Sequence, residues 1–162
     1  MSKDGKFFNS PTCGVLDLEG VRRRILEFMA GEPEQKYQLV IGSDSQGKNT
    51  GQTDFVSAIV VHRIGRGGIY FWQRKIENKT YVLRQRIYQE ATLSLALADE
   101  FLEATRNDGI SRFDVEIHVD IGEYGPTKEM INEIVGMIRG SGFKVQIKPD
   151  SYCASKVADR YT

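Results

Sequence analysis

Apolar positions along this chain change period several times, and each change marks an element. Leu18, Val21, Ile25, Phe28 and Met29 recur three or four residues apart, the spacing that lines one face of a helix. A helix over 18–30 follows, with Asp17 ahead of it as N-cap and Gly31 and Pro33 behind it. A Leu-Val-Ile run over 37–42 reads as a strand covered on both faces. Strands over 54–63 and 69–76 come next, joined by polar and glycine-rich turns short enough for an antiparallel meander. Good helix formers dominate 81–105. A strand over 113–120, a helix over 128–139 capped by Thr127, a strand over 143–148 and a short helix over 154–160 complete the order. Three meandering strands followed by helix-linked strands predict a mixed α/β sheet with helices packed on it. Residues 1–16 carry no such pattern and are expected to form a loosely docked N-terminal arm ahead of a single domain over 17–162.

The helical period exposes one acidic residue that hydrophobicity alone would not. Around the wheel of the long helix, Leu83, Ile87, Leu93, Leu97 and Phe101 surround Glu90, and Gln85, Tyr88, Thr92, Asp99 and Glu103 lie opposite. Glu90 therefore belongs to the face that meets the sheet, where a carboxylate needs a cation, a basic partner such as Arg86 one turn back, or a raised pKa. Asp44 follows the first long strand in Ile-Gly-Ser-Asp-Ser-Gln, and Asp120 ends Val-Glu-Ile-His-Val-Asp. Adjacent strands would set these two side by side, where two negative charges coexist best around a cation. Asp159, next to the small Ala158 of the last helix, is favoured as a fourth member, with Asp150 as the alternative ligand. His118, Ser43, Ser45 and Tyr124 are the supporting candidates around them. Oxygen donors of this kind suit hard divalent cations such as Mg²⁺ or Mn²⁺, and two such ions can promote in-line phosphodiester hydrolysis.

Composition narrows the classes. Twenty-two basic residues balance 22 acidic ones, so no broad phosphate-gripping face is expected, and a small local site fits better. Cys13 and Cys153 are too few and too far apart for a disulfide framework or a metal knuckle, which favours a reduced, cytoplasmic setting. No run approaches the ~20 apolar residues of a membrane span. Phosphate-loop, dinucleotide-fold and serine-hydrolase signatures are absent. The Arg22-Arg23-Arg24 run sits on an expected solvated helix face. Arg63, Arg66, Arg74 and Lys75 decorate the second hairpin, and Tyr70-Phe71-Trp72 reads as sheet packing before base stacking.

These segments together resemble the ribonuclease-H-like superfamily and, within it, a small bacterial YkuK-type family. The resemblance rests on Ile41 through Gln46, Tyr88-Gln89-Glu90-Ala91, Ile117 through Asp120, and Lys-Pro-Asp-Ser-Tyr continuing to Ala158-Asp159. It implies a ribonuclease-H-like fold with a five-stranded sheet in the order 3-2-1-4-5, its second strand antiparallel to the rest. It also implies Mg²⁺- or Mn²⁺-dependent hydrolysis of RNA or DNA that leaves a 5′ phosphate, with Asp44, Glu90, Asp120 and Asp159 as catalytic metal ligands. The chain departs from the pattern in having no histidine ahead of the last helix and no basic insertion for a hybrid duplex. A catalytically silent module that binds nucleic acid or protein is the alternative.

Overall fold

A computed structural model of the chain describes residues 7–162. The sheet has seven strands, β1 (Phe7–Ser10), β2 (Gly14–Asp17), β3 (Tyr37–Gly47), β4 (Thr53–Arg63), β5 (Gly68–Glu77), β6 (Val115–His118) and β7 (Lys144–Gln146), in the order β2-β1-β5-β4-β3-β6-β7 rather than the expected five in the order 3-2-1-4-5. The two unforeseen strands are β1 (Phe7–Ser10) and β2 (Gly14–Asp17). They form an antiparallel hairpin from the stretch expected to be a loose arm. The hairpin joins the sheet edge where Asn9 faces Trp72, and it is anchored by Phe8, only 2% exposed. Each strand is four residues long, too short for an alternating pattern to show. Residues 1–6 of the expected arm lie outside the described residues.

From β2 the chain enters α1 (Leu18–Gly31), where Asp17 accepts a hydrogen bond from the Gly20 N–H at 2.8 Å. Then come β3 (Tyr37–Gly47), β4 (Thr53–Arg63) and β5 (Gly68–Glu77), paired antiparallel in sequence. Helix α2 (Leu83–Ala104) crosses over to β6 (Val115–His118), which runs parallel to β3. Helix α3 (Ile131–Gly140) leads to β7 (Lys144–Gln146), parallel to β6. Thr127 does not cap this helix. Its hydroxyl accepts from the Gly122 N–H instead, and a 3₁₀ turn, Lys128–Met130, precedes α3.

Helices α1, α2 and α3 cover one face of the sheet over the main core, which includes Ile25, Ile41, Ile59, Phe71, Ile87, Phe101, Ile117 and Ile134. The opposite face carries a smaller cluster of Val40, Val56, Ala58, Val60, Cys153 and Ala158. The element covering it is a π-helix, Cys153–Ala158, continued by a 3₁₀ turn, Asp159–Tyr161, where an ordinary helix was expected. It packs very closely, since a Cβ at Gly42 of β3 would stand 2.8 Å from the Ala154 backbone nitrogen. Glycine is the residue that permits this approach. Both cysteines are free thiols. Among the described residues, no helix is long and apolar enough to cross a membrane.

Candidate active site

Strand β3 is longer than its sequence suggests, so Asp44 lies within a paired strand rather than in the turn after it, opposite Val56 of β4. Strand alternation then sorts the neighbouring side chains. Ser43 and Ser45 face α2, and Asp44 faces the element at 153–161. Ser43 Oγ lies 2.7 Å from Ser57 Oγ and 2.7 Å from Ser94 Oγ, a buried chain of hydroxyls that ties β3 and β4 to α2. One turn earlier on α2, Glu90 is 6% exposed and accepts a hydrogen bond from Ser45 Oγ at 2.8 Å. The helix-wheel placement of Glu90 is thus realised, with a serine as its direct partner.

Asp120 lies two residues beyond the end of β6, on the same face as His118. Its carboxylate accepts from Ser155 Oγ at 2.9 Å and pairs with Lys148 Nζ at 3.2 Å. Asp159 is solvent-exposed at the start of the final 3₁₀ turn and is hydrogen-bonded to the Asp44 carboxyl. The Thr162 hydroxyl also donates to Asp44, at 3.4 Å.

The electrostatics tie these groups into one system. Burial raises the Asp44 carboxyl to about 7, reinforced by its bond with Asp159 and by the charges of Asp120 and Asp159, while the Ser45 backbone N–H opposes the shift. Burial likewise pushes Glu90 up to about 8, with the Asp44 and Asp120 charges adding to the shift and Ser45 and Arg86 counteracting it. Asp44 on β3 therefore feels Asp120 and Asp159, and Glu90 on α2 feels Asp44 and Asp120. They approach from two faces around the end of β3.

The remaining candidates lie apart from this cluster or act behind it. His118 is buried, with its Nδ1 accepting from the Cys153 N–H at 3.2 Å and its Nε2 lying 2.9 Å from Glu116. That network places the ring proton on Nε2. His118 thus anchors the start of the 153–161 element rather than reaching the carboxylates. Asp150 is exposed in the turn after Pro149, its backbone N–H bonded to Ile147. Tyr124 is 92% exposed. Sequence reasoning missed Lys148, Ser155 and Thr162. Lys148 and Ser155 flank Asp150 in the sequence, but only the path of the chain shows that both serve Asp120.

As a donor set, four carboxylates with hydroxyl support suit a hard divalent cation. Two of them, Asp44 and Glu90, hold protons well above the usual carboxylate range, through burial first and the neighbouring negative charges second. Their spacing is open: among the described residues, no three His, Cys, Asp or Glu side chains are grouped closely enough to hold a metal ion.

No solved structure matches the chain. It is 31% identical over 173 residues to the protein named "Uncharacterized protein YkuK" of Bacillus subtilis, an alignment spanning 98% of each chain. The family described as Ribonuclease H-like matches residues 20–162, and this chain belongs to that family.

Proposed function

We propose that the chain binds RNA or DNA and hydrolyses phosphodiester bonds in a divalent-metal-dependent reaction at Asp44, Glu90, Asp120 and Asp159. The observation carrying this reading is the coupling of buried Asp44 and Glu90 to each other and to Asp120, with Asp159 bonded to Asp44. A protein that places interacting carboxylates at a strand end accepts a standing repulsion, and cation binding relieves it. Mg²⁺ or Mn²⁺ held there would supply charge neutralisation and a more acidic bound water. Ser45 orients Glu90, and Ser155 with Lys148 orients Asp120.

A second reading has its own support. The open spacing of the acids and the ion pair between Lys148 and Asp120 favour a ribonuclease-H-like module that binds nucleic acid or protein without cleaving it. One experiment separates the two. Purified protein is incubated with labelled RNA, single-stranded DNA, duplex DNA and RNA–DNA hybrid, with and without Mg²⁺ or Mn²⁺. The expected result is metal-dependent cleavage of at least one substrate, reduced at least 100-fold by Asp44→Asn or Asp120→Asn, the scale of losing a group that stabilises transition-state charge. Cleavage that survives both substitutions refutes the assigned residues. Retained binding with no cleavage of any substrate selects the second reading.

A further inference from the structure

Beside the acidic cluster, β5 presents the chain's single tryptophan. The register aligns Gly42, Ala58 and Trp72 in one cross-strand row and Asp44, Val56 and Arg74 in the next. All face the side covered by 153–161, and two strand spacings put Arg74 about 10 Å from Asp44 along its row. Trp72 is half-buried and Arg74 is exposed.

Tyr161 and Thr162 lie across this surface in an unusual way. The Tyr161 ring stacks on the Trp72 indole, with centroids 4.2 Å apart and planes 13° from parallel. Arg74 Nη2 donates to the Tyr161 carbonyl at 2.5 Å, and the guanidinium carbon stands 5.4 Å from the indole centroid. Lys48 Nζ donates to the Thr162 carbonyl at 3.4 Å. The Thr162 hydroxyl donates to Asp44. A flat ring on an indole, oxygens on an arginine and a lysine, and a hydroxyl on a carboxylate make up the pattern that a nucleotide would offer through its base, its phosphate and its sugar. Asp54 lies 3.6 Å from Lys48 Nζ and 4.0 Å from Arg74 Nε, holding the two cations on the same side.

We propose that Trp72, Arg74 and Lys48 form a subsite for one unpaired nucleotide of a single-stranded nucleic acid, which Tyr161 and Thr162 fill in this structure. The inference rests on the proposed function only in its expectation that nucleic acid is bound. A base in a duplex keeps both faces against its neighbours, whereas an unpaired base can offer one to the indole. Aromatic stacking of this kind tolerates any base. The subsite thus selects for strand state rather than sequence, and the bound backbone continues along the Arg74–Val56–Asp44 row towards the carboxylates. Binding requires Tyr161 to leave the indole, so the protein competes with its own ligand.

Because Trp72 is the one tryptophan, its fluorescence reports on this position alone. The full chain is titrated with oligothymidylate and with a blunt duplex of equal length, in EDTA without metal, so that binding is read apart from hydrolysis. The expected results are quenching by the single strand but not by the duplex, and roughly three- to tenfold tighter single-strand binding by Tyr161→Ala, the scale of one aromatic stack. Trp72→Leu, followed by anisotropy of a labelled oligonucleotide, should bind roughly tenfold more weakly. Arg74→Gln should flatten the salt dependence by about 0.7 on the log–log slope, one phosphate contact. Equal affinity for single strand and duplex with no quenching overturns the proposal. So does a Tyr161→Ala protein that binds no tighter, and that variant keeps the test valid should Trp72→Leu fold poorly. Selective quenching without metal-dependent cleavage leaves the subsite standing and removes the hydrolytic reading; cleavage without quenching does the reverse.

Discussion

Glu90→Gln should stabilise the protein at alkaline pH and leave it nearly unchanged at pH 4 to 5. Burial first, then the Asp44 charge, raises Glu90 from its ordinary 4.5 to about 8. Between those values the folded protein holds a proton that the unfolded chain has released. Stability therefore falls as pH rises through this window, because the native state binds more protons than the unfolded one. At about 1.4 kcal/mol per unit, the loss reaches at most roughly 5 kcal/mol by pH 8 to 9, a large share of the ~5–15 kcal/mol that holds a domain together. Glutamine removes the charge while its amide oxygen still accepts the Ser45 hydroxyl, now 2.8 Å from the carboxylate. Urea unfolding of the native and substituted proteins from pH 4.5 to 9 measures the difference directly. The two curves should converge at the acid end and separate by a few kcal/mol at the alkaline end, with the variant more stable. Mn²⁺ should narrow the gap, since a cation binding only the native carboxylate restores its stability by mass action. A variant that is equally destabilised across the whole range would refute the reasoning, because Glu90 would then act through packing and not through its charge.

Two further substitutions probe how the 153–161 element is held. Gly42→Ala would place a methyl group 2.8 Å from the Ala154 backbone nitrogen and 3.1 Å from the Cys153 carbonyl carbon; neither atom is the tip of a flexible side chain, so the expected cost is about 1–3 kcal/mol, read as a fall of roughly 2–10 °C in Tm by calorimetry, and an unchanged Tm would refute the close packing. His118→Leu leaves the Cys153 N–H and the Glu116 carboxylate without their buried partner and should cost roughly 2–4 kcal/mol in urea unfolding; a loss under about 0.5 kcal/mol would show that water replaces both bonds.

How far the sequence could be read depended on the length of each signal. Helix α2 runs for 22 residues, enough turns for the wheel to put Glu90 on the buried side with little ambiguity. Strand β3 was legible as a strand but not in its extent, because Ser43 to Gly47 looks like a polar turn. Those serines are buried because other elements satisfy them, Ser57 and Ser94 for Ser43 and Glu90 for Ser45, information that no local window contains. The β1–β2 hairpin was missed for the same reason: its strands are four residues each, and Phe8 announces burial without saying against what. The final element was legible as helical but not as a π-helix, since its apolar spacing does not tell the two windings apart. Asp150 and Asp159 stayed in competition because both flank that element. The structure leaves Asp150 exposed in a turn and brings Asp159 to Asp44.

The shared geometry of these residues argues that the acidic cluster is assembled by packing rather than by attraction. Glu90 reaches the end of β3 from the main-core side, held by the Ser45 hydroxyl on a helix that the Ser43–Ser94 bond ties to β3. Asp159 arrives from the opposite side on an element fixed by the Gly42 contact, the His118 bond to Cys153 and the Ser155 bond to Asp120. Like charges cannot supply the force that gathers them, so the cost must be met by other contacts, chiefly the buried Ser43–Ser94, Ser45–Glu90 and His118–Cys153 bonds and the Gly42 packing. If the proposed function holds, loosening the 153–161 element by Gly42→Ala should therefore lower the raised Asp44 pKa and weaken Mn²⁺ binding together, without touching a carboxylate, as read by pH titration and Mn²⁺ titration of the variant. That coupling distinguishes a site built to hold charge in place from acidic residues that merely share a surface.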